Sequence, residues 1–253
     1  MLAPFDITGD LDTPVSAFMK LGAFRPRFLL ESVEGGERLA RYSFIGFGDG
    51  LEVRLDEGGL TIGAERRPLP ADGAGLLEGL RAALAAAPQP KPDIAGVPLA
   101  GGLVGYAAYD VVRYFERLPA RARTDHGVPA LHYVAPRSLL VFDHLTRSIA
   151  LLHAGSAAER RSLRAELVGA LRGGLPHRGL RPGNYSSPAP SISRDDYMAA
   201  VRRTQEYIAA GDVYQLVLSA RFAGRHDLDP SRCTARCGSS TPRPTCTTAR
   251  SAT

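Results

Sequence analysis

Residues 27–62 read RFLLESVEGGERLARYSFIGFGDGLEVRLDEGGLTI, and their pattern decides the fold class. RFLLES (27–32) is a compact apolar run that ends in polar residues, and YSFIGF (42–47) is rich in β-prone side chains. LEVRL (51–55) alternates apolar and polar positions, and Glu57-Gly58-Gly59 supplies a turn before Leu60-Thr61-Ile62. Short strands joined in succession by turns make a meander of antiparallel character.

Helices and further strands follow outward from this stretch. Residues 76–87 (LLEGLRAALAAA) place Leu76, Leu77, Leu80 and Leu84 on one helical face, and Pro88, Pro90 and Pro92 end the helix. The glycine-rich segment 99–110 (LAGGLVGYAAYD) reads as a buried strand, and 116–130 as an exposed polar connection. Residues 131–142 and 148–153 read as a hairpin around Asp143-His144-Leu145-Thr146-Arg147. A helix over 157–171 carries Leu163, Leu167 and Leu171 at spacings of four. The stretch 173–190 is rich in Gly, Pro, Arg and Ser and has no periodicity, which marks a linker. Beyond it Ser193 caps a helix, Asp195 and Asp196 suit its positive end, Gly211 closes it, and 213–222 (VYQLVLSARF) reads as a strand. The expected fold is α+β, with antiparallel β-sheets and flanking helices. The expected domains are 1–172, a linker at 173–190, the opening of a second domain at 191–230, and a tail at 231–253.

Composition narrows the function classes once it is partitioned. The 253 residues carry a net charge of +5 and three cysteines. All three cysteines (Cys233, Cys237, Cys246) and four arginines (Arg232, Arg236, Arg243, Arg250) lie in the tail, which holds no acid. Residues 1–230 are therefore nearly neutral and cysteine-free, and they have no disulfide framework. No apolar run approaches the ~18 residues of a membrane span. Residues 1–12 hold three acids and lack the features of a signal peptide, so the expected compartment is the cytoplasm, with no membrane partner.

Residues 231–253 contain no Val, Ile, Leu, Met, Phe, Tyr or Trp. Such a stretch buries too little surface to offset a backbone ordering cost of about 1–2 kcal/mol per residue, so it is expected to be disordered. A zinc site lacks a second close cysteine pair and any histidine after His226. A nucleic-acid tail lacks aromatics to stack on bases, so no nucleic-acid partner is expected. The third reading is translation in a shifted frame from about residues 228–231. Codons allowed for residues 232–237, read from their third base, can yield Val-Tyr-Arg-Ala-Leu-Arg, and those of 241–246 can yield a string containing NPSPYM.

Several segments together resemble anthranilate synthase component I, of the chorismate-utilising enzymes. Asp12-Thr13-Pro14-Val15 with Lys20-Leu21, the element Leu29-Leu30-Glu31-Ser32, the strand Arg41-Tyr42-Ser43-Phe44-Ile45-Gly46, the block from Gly101 to Tyr106 with Tyr109-Asp110 and Arg113-Tyr114, and the run from Ala210 to Phe222 stand in the family's order. NPSPYM is also a family string. The resemblance implies an N-terminal regulatory domain over 1–172 and the start of a chorismate-binding catalytic domain at 191–230. It implies conversion of chorismate and glutamine-derived ammonia to anthranilate and pyruvate, the first step of L-tryptophan biosynthesis, by a Mg²⁺-dependent carbon–oxygen lyase. The implied partner is a glutamine amidotransferase subunit, anthranilate synthase component II, and the implied feedback inhibitor is L-tryptophan. No catalytic or Mg²⁺ residue of the family has a counterpart in 1–230, so the truncated chain is expected to be inactive alone. The implied inhibitor-binding residues are Leu30, Glu31, Ser32, Arg41 and Tyr42. Alternatives are aminodeoxychorismate synthase component I, of folate biosynthesis, and a non-catalytic tryptophan-binding or subunit-interaction module.

Other features read as structural. Gly101-Gly102-x-x-Gly105 lacks dinucleotide-fingerprint spacing and suits close packing in a strand. The six histidines show no metal-ligand spacing, and Arg113 reads as structural.

Overall fold

Phe44, Ile45 and Phe47 in one apolar run and Leu139 to Phe142 in another leave no polar side for solvent, so both runs belong inside a sheet covered on two faces. The computed structural model describes residues 4–32, 41–118, 127–175, 184–227 and 245–249. They fall into two units, one within Met1–His177 together with Thr234–Thr253 and one within Arg178–Cys233.

In the first unit, β1 (Phe5–Thr8) leads to α1 (Pro14–Lys20), where the Thr13 hydroxyl accepts the Ser16 amide. A 3-10 turn (Leu21–Phe24) passes into β2 (Pro26–Ser32), followed by β3 (Tyr42–Phe47), β4 (Leu51–Asp56), β5 (Gly59–Ile62) and β6 (Glu65–Arg67). Then come α2 (Gly73–Ala86), β7 (Val104–Ala107), a 3-10 turn (Tyr109–Tyr114), β8 (Leu131–Ala135), β9 (Ser138–Asp143), β10 (Ser148–His153) and α3 (Ala157–Arg172). With β13 (Thr245–Ala249), these strands make a six-stranded sheet, β1-β10-β9-β3-β2-β13, and a five-stranded sheet, β6-β5-β4-β8-β7. The pairings in both sheets are antiparallel, as the meander reading expects.

Strand alternation divides the core. Leu29, Ile45, Phe47, Leu140 and Phe142 face α1 and α3, where they meet Phe18, Leu167 and Leu171. Phe28, Phe44, Leu139 and Val141 face the other way, toward Val134, Leu99 and Val104. The five-stranded sheet packs Val53, Leu55 and Leu60 against Leu76 and Ala83 of α2. Arg27 of β2 reaches Glu52 of β4 at 2.9 Å, and His132 of β8 meets the same carboxylate at 2.7 Å, a polar tie between the sheets. Burial opposes the Glu52 charge, but hydrogen bonds from Arg27 and His132 outweigh it and hold the carboxyl below its ordinary range.

Five expectations are corrected. Helix α2 does not bury a leucine stripe: Leu76 is buried, but Leu77 and Leu84 are exposed, and the inner face is Gly73, Leu76, Gly79 and Ala83. A Cβ on Gly79 would lie 2.4 Å from the Leu60 side chain, so the small residues allow the close approach that fixes the face. The 99–110 strand shrinks to 104–107, because Gly101 and Gly102 take positive φ, and its residues are largely exposed on a sheet edge. Residues 131–142 are two strands, divided at Pro136-Arg137. The tail, expected to be disordered, supplies β13 on the edge of β2, with Thr245 opposite Ser32 and Ala249 opposite Phe28. The ladder there is made by backbone, which does not require apolar side chains. Residues 228–244 and 250–253 lie outside the described residues, as do 176–183 of the expected linker and 119–126 of the expected connection.

The fifth correction falls in the second unit. Here α4 (Arg194–Ala210) is capped as expected, with the Ser193 hydroxyl accepting the Asp196 amide at 3.1 Å and Gly211 closing it at φ 81°. Residues 213–220 do not form the expected strand, and the pairing described nearby is a short ladder between β11 (Ala189–Pro190) and β12 (Phe222–Ala223), with an isolated bridge between Tyr185 and His226. Among the described residues, no helix is long and apolar enough to cross a membrane.

Candidate functional site

The inhibitor element sits where β2 ends and β3 begins, and the two-residue period of β2 splits it. Leu30 packs on the same face as Tyr42 and Phe44. The Tyr42 and Phe44 rings are 6.3 Å apart in a tilted arrangement. Glu31 follows Leu29 onto the opposite face, toward the helices, where it lines a separate cleft. Ser32 is described only as the last backbone position of β2.

Arg41 joins this corner through two contacts. Its guanidinium lies 4.9 Å from the Tyr42 ring centroid, a cation–π geometry. It also grips Asp143 with both arms, Nε to Oδ1 at 3.1 Å and Nη2 to Oδ2 at 2.7 Å. Asp143 in turn accepts the backbone amides of Leu145 and Thr146, which folds the turn between β9 and β10. Burial pushes the Asp143 carboxyl upward, but Arg41 and the two amides prevail and hold it below its ordinary range. Next to it His144 donates its amide to the Arg41 carbonyl at 2.9 Å, and its Nε2 lies 2.8 Å from the Ser43 hydroxyl. Burial lowers the affinity of His144 for a proton, with Asp143 partly opposing, which favours a neutral ring at pH 7.

The cleft on the Glu31 side encloses about 510 Å³, and Asp10, Asp12, Glu31, Asp143, His144 and Arg147 contribute to its walls. Asp12 is committed to Lys20 and the Ser16 hydroxyl, and Asp10 lies 3.7 Å from Arg147. The Glu31 side chain makes no hydrogen bond or ion pair among the described residues, and burial raises its carboxyl above the ordinary range. An ammonium group is the partner that would relieve that charge. In the sequence Asp143 and His144 read only as turn residues. Nothing in the local sequence links them to Arg41, which they meet through the register of β3 on β9.

The structural readings are in accord with their contacts. A Cβ on Gly105 would lie 2.0 Å from the His132 carbonyl, so β7 and β8 approach too closely for any side chain there. Arg113 holds Asp110 at 2.9 Å within its own turn. Among the described residues, no three His, Cys, Asp or Glu side chains converge as cation ligands. The described residues therefore do not fit a Mg²⁺ site.

A family model described as chorismate binding enzyme matches residues 25–252. Anthranilate synthase component 1 of Thermus thermophilus is 42% identical over 226 residues, covering 87% of this chain and 47% of that protein. The Pseudomonas aeruginosa protein of the same name is 36% identical over 237 residues, covering 87% of this chain and 47% of its own. The crystal structure of anthranilate synthase component I from Streptococcus pneumoniae superposes with a TM-score of 0.57 at 22% identity, covering 88% of this chain and 49% of that one. This last likeness is one of fold. The chain spans about half the length of the curated relatives it matches.

Proposed function

Because this chain belongs to the chorismate-binding enzyme family, we propose that it serves as the N-terminal part of an anthranilate synthase component I. The whole protein would form anthranilate and pyruvate from chorismate and glutamine-derived ammonia in L-tryptophan biosynthesis, in the cytoplasm, with Mg²⁺ and an amidotransferase subunit. The observation that carries this reading is 42% identity over 87% of the chain.

The 253-residue polypeptide alone is the regulatory half and makes no anthranilate. Residues 231–253, without a large apolar side chain, read as a shifted frame. The nucleotide sequence beyond codon 230 checks that directly, because one base gained or lost there restores an open family reading. Purified chain incubated with chorismate, ammonia and Mg²⁺ is expected to give no anthranilate fluorescence above blank. Turnover would overturn the claim of inactivity.

The regulatory reading assigns L-tryptophan to the corner of Leu30, Glu31, Ser32, Arg41 and Tyr42. The unpartnered Glu31 carboxylate, in the cleft it lines, would take the ligand ammonium. Calorimetry with L-tryptophan is expected to give a binding heat that Glu31→Gln reduces. Absence of heat from the parent chain at millimolar ligand would remove the reading.

A further inference from the structure

Phe47, Ser138 and His153 stand side by side across β3, β9 and β10, at the opposite end of the six-stranded sheet from Tyr42, Asp143 and Ser148. They line a cavity of about 250 Å³ beneath α3, which shares no lining residue with the Glu31 cleft. One wall is apolar: Phe24 and Phe47 meet edge to face with centroids 6.1 Å apart, and Leu163 adjoins them. The polar wall centres on His153, which is 8% exposed. Its Nδ1 lies 2.8 Å from the Ser138 hydroxyl, and its Nε2 makes no hydrogen bond among the described residues. Nε2 and Glu159 Oε2 flank the space that a Cβ on Gly155 would fill, at 2.6 and 2.8 Å from it. Burial and the nearby Arg137 lower the proton affinity of the ring, with Glu159 partly opposing, which favours a neutral ring at pH 7. Arg137 donates its Nε to the Ala154 carbonyl at 3.2 Å, and its Nη2 stands 3.7 Å from Glu159 Oε1, beyond hydrogen-bond length. Glu159 Oε2 accepts the Ser156 amide at 2.6 Å, so Oε1 is the oxygen left for another donor.

We propose that this cavity is a second ligand site, for a single-ring aromatic carboxylate that carries an amino group. Its volume is below the roughly 300–1,000 Å³ of pockets for drug-sized ligands, while about 150 Å³ suffices for benzene, so one ring with small substituents fits. The ring would lie against Phe24, Phe47 and Leu163. Its carboxylate would take the outer edge of Arg137 and the Nε2 of His153. A carboxylate at Nε2 selects the tautomer in which Ser138 donates to Nδ1 and Nε2 carries the proton. Glu159 Oε1 would repel a plain carboxylate, whereas an amino group beside it donates to that oxygen. The site is argued from the cavity alone. That anthranilate, a member of this class, is also the product of the enzyme rests on the function proposed above.

The test titrates anthranilate into the full 253-residue chain, with the ligand's own emission as the readout, since the chain contains no tryptophan. Saturable binding is expected, with benzoate weaker by about tenfold or more for want of the amino group. Arg137→Met removes the guanidinium from an exposed side chain, and Gly155→Ala fills the space beside Nε2. Each is expected to weaken anthranilate by about tenfold or more, and Arg137→Met decides the question if Gly155→Ala does not fold. Glu31→Gln and saturating L-tryptophan act at the other end of the sheet, so both are expected to leave anthranilate binding unchanged. Absence of saturable binding at millimolar anthranilate, benzoate binding equally well, indifference to Arg137→Met, or displacement by L-tryptophan would each overturn the proposal. Saturable anthranilate binding by a chain that gives no heat with L-tryptophan would support this site and count instead against the regulatory reading.

Discussion

Gly46 shows how much of the first unit turns on a single hydrogen atom. A Cβ there would lie 2.3 Å from the Phe28 ring, and Phe28 is 1% exposed, so the ring has nowhere to go. Gly46→Ala is expected to lower stability by about 1–3 kcal/mol, read as a shift in the urea midpoint at constant slope. The sequence displays this glycine inside an apolar strand but not its reason, because Phe28 meets it only through the register of β2 on β3. The same holds for the candidate site. Leu30, Glu31, Arg41 and Tyr42 were legible as a motif, whereas their division between two faces of one sheet became visible only with the strand's alternation. Asp143, about a hundred residues away, was legible only as a turn.

At the scale of elements, helix ends were legible and helix faces less so. Ser156 and Glu159 form a reciprocal capping box, with the Glu159 amide on Ser156 Oγ at 3.2 Å and the Ser156 amide on Glu159 Oε2 at 2.6 Å. Ser156→Ala is expected to cost about 1 kcal/mol and to lower the thermal midpoint of the unit that Leu167 and Leu171 help to close. Capping is local, so Ser193 and Gly211 at the ends of α4 were legible, whereas Ser156 was not read as a cap. The inner face of α2 was not, because a leucine stripe and a glycine–alanine stripe run side by side, and the sheet beneath selects the one that lets Leu60 come close. Residues 213–220 mark the limit of local reading, since their strand propensity is unmet among the described residues.

For the whole molecule, pH is the variable that sorts the carboxylates. Asp143 and Glu52 have folded-state values below those of the unfolded chain. Their contribution is present above the unfolded values, about 3.9 for Asp and 4.3 for Glu, and is lost as pH falls through the folded ones. Glu31 has the opposite sign: its raised value costs stability above the folded value, and the cost disappears below about 4.3. Urea midpoints of the parent chain should therefore fall on acidification below about pH 4. Glu31→Gln should be the more stable protein at pH 7, with its advantage vanishing toward pH 4. A midpoint for Glu31→Gln that tracks the parent at every pH would contradict this.

The opposite placement of Leu30 and Glu31 on β2 has a consequence for heritable change. Loss or gain of one codon within β2 would exchange the two walls, sending a carboxylate into the aromatic face and a leucine into the acidic cleft. A change of two codons would keep every side chain on its own side. In this strand the parity of its length is as much a part of the inherited information as the residues themselves.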